Sequence, residues 1–88
     1  MKLKKNTIYV YQYNGYNGGF AQKRTLLWRC TLVGANKEER TGGDFMSEGH
    51  GYQNKRYADR DAADWAEFLG WPIVELGRCE HFDDEPKG

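Results

Sequence analysis

Residues 54–72 read NKRYADRDAADWAEFLGWP and contain the strongest helix pattern in the chain. The apolar side chains recur every three or four residues, which places them on one face of an α-helix: Ala58, Ala62, Trp65 and Leu69. Asn54 is a favourable residue to precede a helix, and Gly70 followed by Pro72 is a typical end. The pattern predicts a helix over residues 55–69 that packs its apolar face on a sheet.

Two alternating segments before this helix predict antiparallel strands for it to cover. In residues 7–13, Ile8 and Val10 alternate with a row of tyrosines. In residues 26–33, the even positions carry leucine, tryptophan and cysteine. Strict alternation of this kind is typical of a half-buried strand. The segment NGYNGG at residues 14–19 favours a hairpin loop between them, because Asn-Gly pairs accept positive φ at little cost.

Three shorter segments complete the predicted order of elements. Residues 38–41 predict a third, polar edge strand, residues 73–76 a closing strand and residues 80–88 a flexible acidic tail. The chain is therefore expected to be a single α+β domain over residues 1–88. It would contain a small antiparallel sheet of three to four strands, in ββ(β)αβ order, with one helix packed on a face.

The formal charge is zero overall, but it is divided unevenly along the chain. Residues 1–58 contain ten Lys/Arg and four Asp/Glu, whereas residues 59–88 contain three and nine. This division predicts a basic sheet and an acidic helix and tail, a polarity suited to a charged partner. No segment approaches the roughly 20 apolar residues of a membrane span, and no long apolar run follows the basic start. Neither membrane contact nor export is expected.

The two cysteines have a structural and a chemical interpretation. Without an export signal, Cys30 and Cys79 are expected to be reduced thiols in the cytoplasm. With His50 and His81 they include the ligand types of a zinc site, but the spacing of zinc knuckles is missing. A catalytic thiol is disfavoured because the acidic residues after Cys79 would raise its pKa. No catalytic residue, metal or cofactor is therefore expected.

Recognition of another protein is the first functional hypothesis. Exposed acidic side chains on the helix and tail could enter a basic groove, including one that normally holds nucleic acid, and the Tyr/Gly/Asn-rich loop has the chemistry of binding hot spots. The expected contact residues are Asp61, Asp64, Glu67, Asp83, Asp84, Tyr16 and Phe20. In size and in its lack of catalytic motifs, the chain is similar to the small phage and mobile-element proteins that inhibit host defence, such as anti-CRISPR proteins.

Binding of single-stranded nucleic acid is the alternative hypothesis. A sheet that exposes aromatic rings beside basic side chains can stack bases and contact phosphates. The residues would be Tyr9, Tyr11, Tyr13, Lys2, Lys4, Lys5 and Arg24. The tyrosine row could instead be part of the core, and the sequence pI of about 6.7 is far from the basic values usual for such domains.

Two stretches, WRCTLVGANK at residues 28–37 and EGHGYQNK at residues 48–55, resemble the YegP-like family of small domains. The resemblance covers roughly residues 26–66 and implies a ββα topology with self-association through the sheet. It implies no catalytic residues. The chain departs from the family at Lys37, where the turn usually carries glycine, in an insertion before Tyr52 and in having a single copy of the unit. A homodimer through an edge strand is left open.

Overall fold

A computed structural model describes residues 2–16, 24–41 and 48–84. Within these ranges the chain forms three strands, two α-helices and one turn of 3₁₀ helix. In chain order they are β1 (Thr7–Tyr16), β2 (Arg24–Val33), α1 (Lys37–Thr41), α2 (Lys55–Leu69), β3 (Ile73–Arg78) and the 3₁₀ helix Glu80–Phe82. No helix in the described part of the chain is both long enough and apolar enough to cross a membrane.

The sheet has the order β2-β1-β3, with β1 in the centre. β1 and β2 are antiparallel, whereas β1 and β3 are parallel. The predicted α+β class with one main helix on the sheet is confirmed, but the sheet is mixed rather than wholly antiparallel. The reason is that α2 returns the chain to the end of the sheet where β1 begins, so that β3 starts beside Ile8. There the amide of Ile8 donates to the carbonyl of Pro72 over 2.9 Å.

The polar segment predicted as an edge strand is the short helix α1 instead. Its first turn is closed by a reciprocal pair of hydrogen bonds. The amide of Glu39 donates to Asn36 Oδ1 over 2.8 Å, and the amide of Asn36 donates to Glu39 Oε1 over 3.1 Å. This is the arrangement of a capping box, which satisfies backbone donors that a helix start leaves unpaired. The described residues therefore contain three strands, and the fourth is absent from them.

The main core lies between the sheet and α2. Its fully buried members come from β1, β2 and the predicted apolar face of the helix: Ile8, Val10, Cys30, Leu32, Ala58, Ala62 and Trp65. Two alanines with no exposed surface let the helix approach the sheet closely, and Trp65 fills the space beyond them. The helix ends at Gly70, whose φ of 73° is the left-handed cap predicted for it.

A second, smaller core lies on the opposite face of the sheet. It is formed by the tyrosine row of β1 together with Leu27 and Cys79. The residues after β3 close it, because the ring of Phe82 stacks on that of Tyr11 with centroids 4.0 Å apart. Up to Asp84, the segment predicted to be a flexible tail is therefore packed against β1. Residues 85–88 lie outside the described residues.

Candidate functional site

The acidic side of α2 is smaller than the sequence predicts, because Asp61 belongs to the interior. Its side chain is only 6% exposed, and its Oδ2 accepts a hydrogen bond from Tyr52 Oη over 2.7 Å. Arg60 lies 3.6 Å from the other carboxylate oxygen. Asp61 thus fixes the segment that contains Tyr52 to the helix. Asp64 and Glu67, by contrast, are exposed as predicted.

The two aspartates of the predicted tail are also engaged within the molecule. Arg78 holds Asp83 with two hydrogen bonds of 2.7 and 2.8 Å, and the amide of Asn14 donates to the same carboxylate. The bonds from Arg78 and Asn14 lower the pKa of Asp83 to about 2. Asp84 Oδ2 accepts from the amide of Tyr16 over 3.2 Å. Two of the five predicted acidic contacts therefore remain exposed, and Phe20 lies outside the described residues.

The tyrosine row does not form the stacking platform of the nucleic-acid hypothesis. Tyr9, Tyr11 and Tyr13 are 5%, 0% and 3% exposed, so their ring faces are not open to bases. Their hydroxyl groups bond within the protein as well: Lys4 N donates to Tyr9 Oη, and Arg29 Nε donates to Tyr11 Oη over 2.7 Å.

The basic residues of the same hypothesis do not form an open surface together with these rings. Lys2, Lys4 and Lys5 are exposed on the segment before β1. Arg24 is partly buried and donates to the main-chain carbonyls of Asn14 and Asp84. The lysines are thus exposed, but the three rings predicted to act with them are buried.

The two thiols are buried on opposite faces of the sheet. Cys30 is 1% exposed in the main core, and Cys79 is 3% exposed in the second core. Burial, reinforced by the charge of Asp61, raises the pKa of Cys30 to about 12. A thiol that stays protonated is a poor nucleophile and metal ligand. In the described ranges, no group of three or more metal-ligating side chains lies close together.

The buried thiols predict a clear result in thiol titration. At pH 8, native protein is expected to react negligibly with Ellman's reagent, because neither sulfur is accessible and Cys30 is neutral. In denaturant, both thiols should react rapidly. Fast labelling of one cysteine in the native protein would show that the core containing it opens readily.

The outer edge of β3 is the strongest candidate for an intermolecular contact. Ile73 and Val74 are 42% and 38% exposed, although both are β-branched and apolar. Within the described ranges, no strand pairs with this edge. In a parallel ladder, alternate residues bond to the same neighbour. Because the carbonyl of Pro72 faces β1, the main-chain groups of Ile73 and Glu75 face outward.

The opposite edge of the sheet, which is the outer edge of β2, is covered by residues outside the sheet. Tyr52 forms a β-bridge with Trp28 of β2, with two main-chain hydrogen bonds of 2.7 and 2.8 Å. Further along β2, Glu48 accepts from the amide of Leu32, and Arg40 donates to the carbonyl of Leu32. Exposed strand edges are usually short, charged or covered. Here one edge is covered, and the other offers two apolar side chains.

Charged side chains surround the open edge unevenly. Lys55 pairs with both Asp59 and Glu75, and Arg78 pairs with Asp83. Glu80 follows immediately in the chain. Four carboxylates therefore face two cations around β3, which leaves this region acidic. The sequence indicated the strand but not its edge position, since that depends on the path of α2 over the sheet.

Comparisons with protein-family models, with curated proteins and with solved structures found no match to this chain. The resemblance to the YegP-like family therefore stays a prediction.

Proposed function

We propose that this chain is a non-catalytic protein-binding module that takes an extended segment of another protein onto the outer edge of β3. The observation that carries the proposal is the combination of outward main-chain groups with the exposed side chains of Ile73 and Val74. In strand addition, main-chain hydrogen bonds supply affinity and alternate side chains supply specificity. The outer edge of β3 has both outward-facing main-chain groups and exposed apolar side chains.

The partner segment is expected to be apolar and basic. Apolar residues would cover Ile73 and Val74, and basic residues would meet the excess carboxylates around Lys55 and Arg78. Such complementarity favours encounter and suppresses acidic partners. An acidic partner, including a second copy docking by the same edge, would meet like charge.

Inhibition of host defence is the more specific form of this proposal. A protein that blocks a nucleic-acid-binding groove must fit a surface rich in Lys and Arg, as is proposed for the partner of β3. Asp64 and Glu67 are the predicted acidic residues that remain exposed for such a contact. Under this form of the proposal, the binding surface would include the exposed side of α2 as well as the outer edge of β3.

Selection from a peptide library tests the proposal and does not require the partner to be identified. A phage-displayed library of unbiased peptides would be selected on the immobilised protein, and selected peptides would then be titrated into ¹⁵N-labelled protein. We expect enrichment of sequences that combine β-branched and basic residues. The largest shifts should fall on the amides of Ile73 and Glu75, since these face the proposed added strand.

Matched lysine variants provide the control. Ile73→Lys with Val74→Lys should abolish peptide binding, because charge replaces the apolar contacts. Leu26→Lys changes a side chain of comparable exposure, 47%, at another position and should leave binding intact. Peptides that bind the β3 variant as well as the wild type would contradict the proposal, as would failure to enrich any sequence.

A further inference from the structure

A polar cavity of about 350 Å³ lies where the ends of β1 and β2 meet residues 49–51 and Asp84. This volume is within the range of pockets that bind small molecules. Tyr13 and Arg29 form part of its lining. None of the described lining residues belongs to β3, so the cavity is separate from the outer edge of that strand.

The wall beside Tyr13 admits only glycine at two positions. A Cβ added at Gly51 would lie 2.3 Å from Tyr13 Oη, and one added at Gly15 would lie 2.3 Å from Tyr13 Cε2. Contacts this short do not occur between real side chains, so the two glycines let the ring sit close to the main chain. The shape of the cavity is therefore set by tightly packed groups.

The guanidinium of Arg29 is fixed at this cavity by three contacts. It lies 3.9 Å from the centroid of the Tyr13 ring, its Nε donates to Tyr11 Oη, and its Nη2 donates to the carbonyl of Phe82 over 3.3 Å. All three partners are uncharged. Among the described residues, no carboxylate lies within 4.0 Å of this partly buried cation, although partly buried charges are usually paired.

A second arginine nearby is also incompletely satisfied. Arg24 donates through Nη2 to the carbonyls of Asn14 and Asp84, but its Nε is buried without a hydrogen-bond partner. The Asp84 carboxylate accepts from the amide of Tyr16. Arg24 also acts on the nearby Asp83 carboxylate, which Arg78 holds. Three arginines, Arg24, Arg29 and Arg78, therefore accompany two carboxylates, Asp83 and Asp84, at this end of the molecule. The excess positive charge lies beside a cavity with room for a ligand.

We propose that the cavity binds a small molecule bearing an oxyanion, either a phosphate or a carboxylate, with Arg29 as the principal recognition residue. A guanidinium presents a planar fork of donors that matches both groups. Because Arg29 is already held by its aromatic neighbours, little ordering is needed when the anion arrives. The volume beyond the anion leaves space for a short carbon skeleton.

Titration of ¹⁵N-labelled protein at constant ionic strength tests the proposal with defined probes. Glycerol 3-phosphate, glycerate, inorganic phosphate and glycerol would be compared. We expect saturable shifts at the amides of Tyr16, Gly49, His50 and Gly51 with one or more of the anions, and none with glycerol. The relative affinities of glycerol 3-phosphate and glycerate distinguish the phosphate from the carboxylate. Unsaturated shifts, or shifts concentrated at the lysines before β1, would overturn the proposal.

Neutralising Arg29 and neutralising Asp84 should change the affinity for the anion in opposite directions. Arg29→Gln should weaken binding of the best anion by about tenfold or more, since a charge-assisted hydrogen bond is lost. Asp84→Asn keeps an acceptor for the amide of Tyr16 but removes like-charge repulsion, so binding should strengthen severalfold. Asp64→Asn makes the same change of charge on the exposed face of α2 and should have no effect.

The aspartate pair keeps the test decisive if Arg29→Gln does not fold. Equal affinities in Asp84→Asn and Asp64→Asn would then contradict an anion site in this cavity. So would an unchanged affinity in a folded Arg29→Gln protein. Because the cavity contains no described residue of β3, these affinity measurements are independent of peptide binding at that strand.

Discussion

Replacing Trp65 with alanine is expected to lower the free energy of unfolding by about 3–5 kcal/mol, the range for deleting a large buried aromatic side chain. Trp65 is 2% exposed and fills the main core beyond the small side chains of Ala58 and Ala62. Neighbours that small cannot expand into the space that the indole leaves. Urea denaturation followed by circular dichroism would measure the loss.

Phe68→Ala is the matched control for this substitution. The Phe68 ring contacts that of Trp65, with centroids 6.1 Å apart, but its side chain is 49% exposed. The loss here should be about 1 kcal/mol or less, because little buried surface is removed. Equal losses for the two variants would show that α2 does not pack on the sheet through the face described.

Reversing the charge of Asp61 is expected to destabilise the protein by about 3–5 kcal/mol or to prevent folding, since it places an unpaired charge in the interior. Lysine at this position would also remove the acceptor of Tyr52 Oη and lie beside Arg60. Thermal and urea denaturation would detect the effect.

The same reversal at Asp64 serves as the control for Asp61. Asp64 is exposed, so Asp64→Lys should change the free energy of unfolding by no more than about 0.5 kcal/mol. A stable, folded Asp61→Lys protein would contradict the buried position of Asp61. This difference also means that Asp64 and Glu67 alone should be reversed when acidic contacts on α2 are tested.

The helix pattern alone could have placed Asp61 correctly. It lies three residues after Ala58 and four before Trp65, which puts it on the same face as both. Its charge suggested a solvated position, but the hydroxyl of Tyr52 offsets the cost of burial by satisfying one oxygen. That partner lies nine residues away, across a turn whose path the sequence does not reveal.

The capping box at α1 could also have been predicted, because Asn36 and Glu39 have the required spacing. The charges in this segment are also compatible with an edge strand, since they discourage pairing with other chains. The position of the tyrosine row could not be derived in the same way. Alternation places the tyrosines of β1 on one face, but only the return of Phe82 over Tyr11 decides that this face is covered.

The contacts between Asn14 and the segment after β3 have a consequence for biosynthesis. The amide of Asn14 bonds to Asp83, 69 residues further along the chain. A ribosome must therefore synthesise the chain as far as Asp83 before this segment can cover the tyrosine row. Pairings this distant make folding slow relative to helical proteins of similar size. In a nascent chain the aromatic rings of β1 would stay uncovered until Phe82 and Asp83 have emerged.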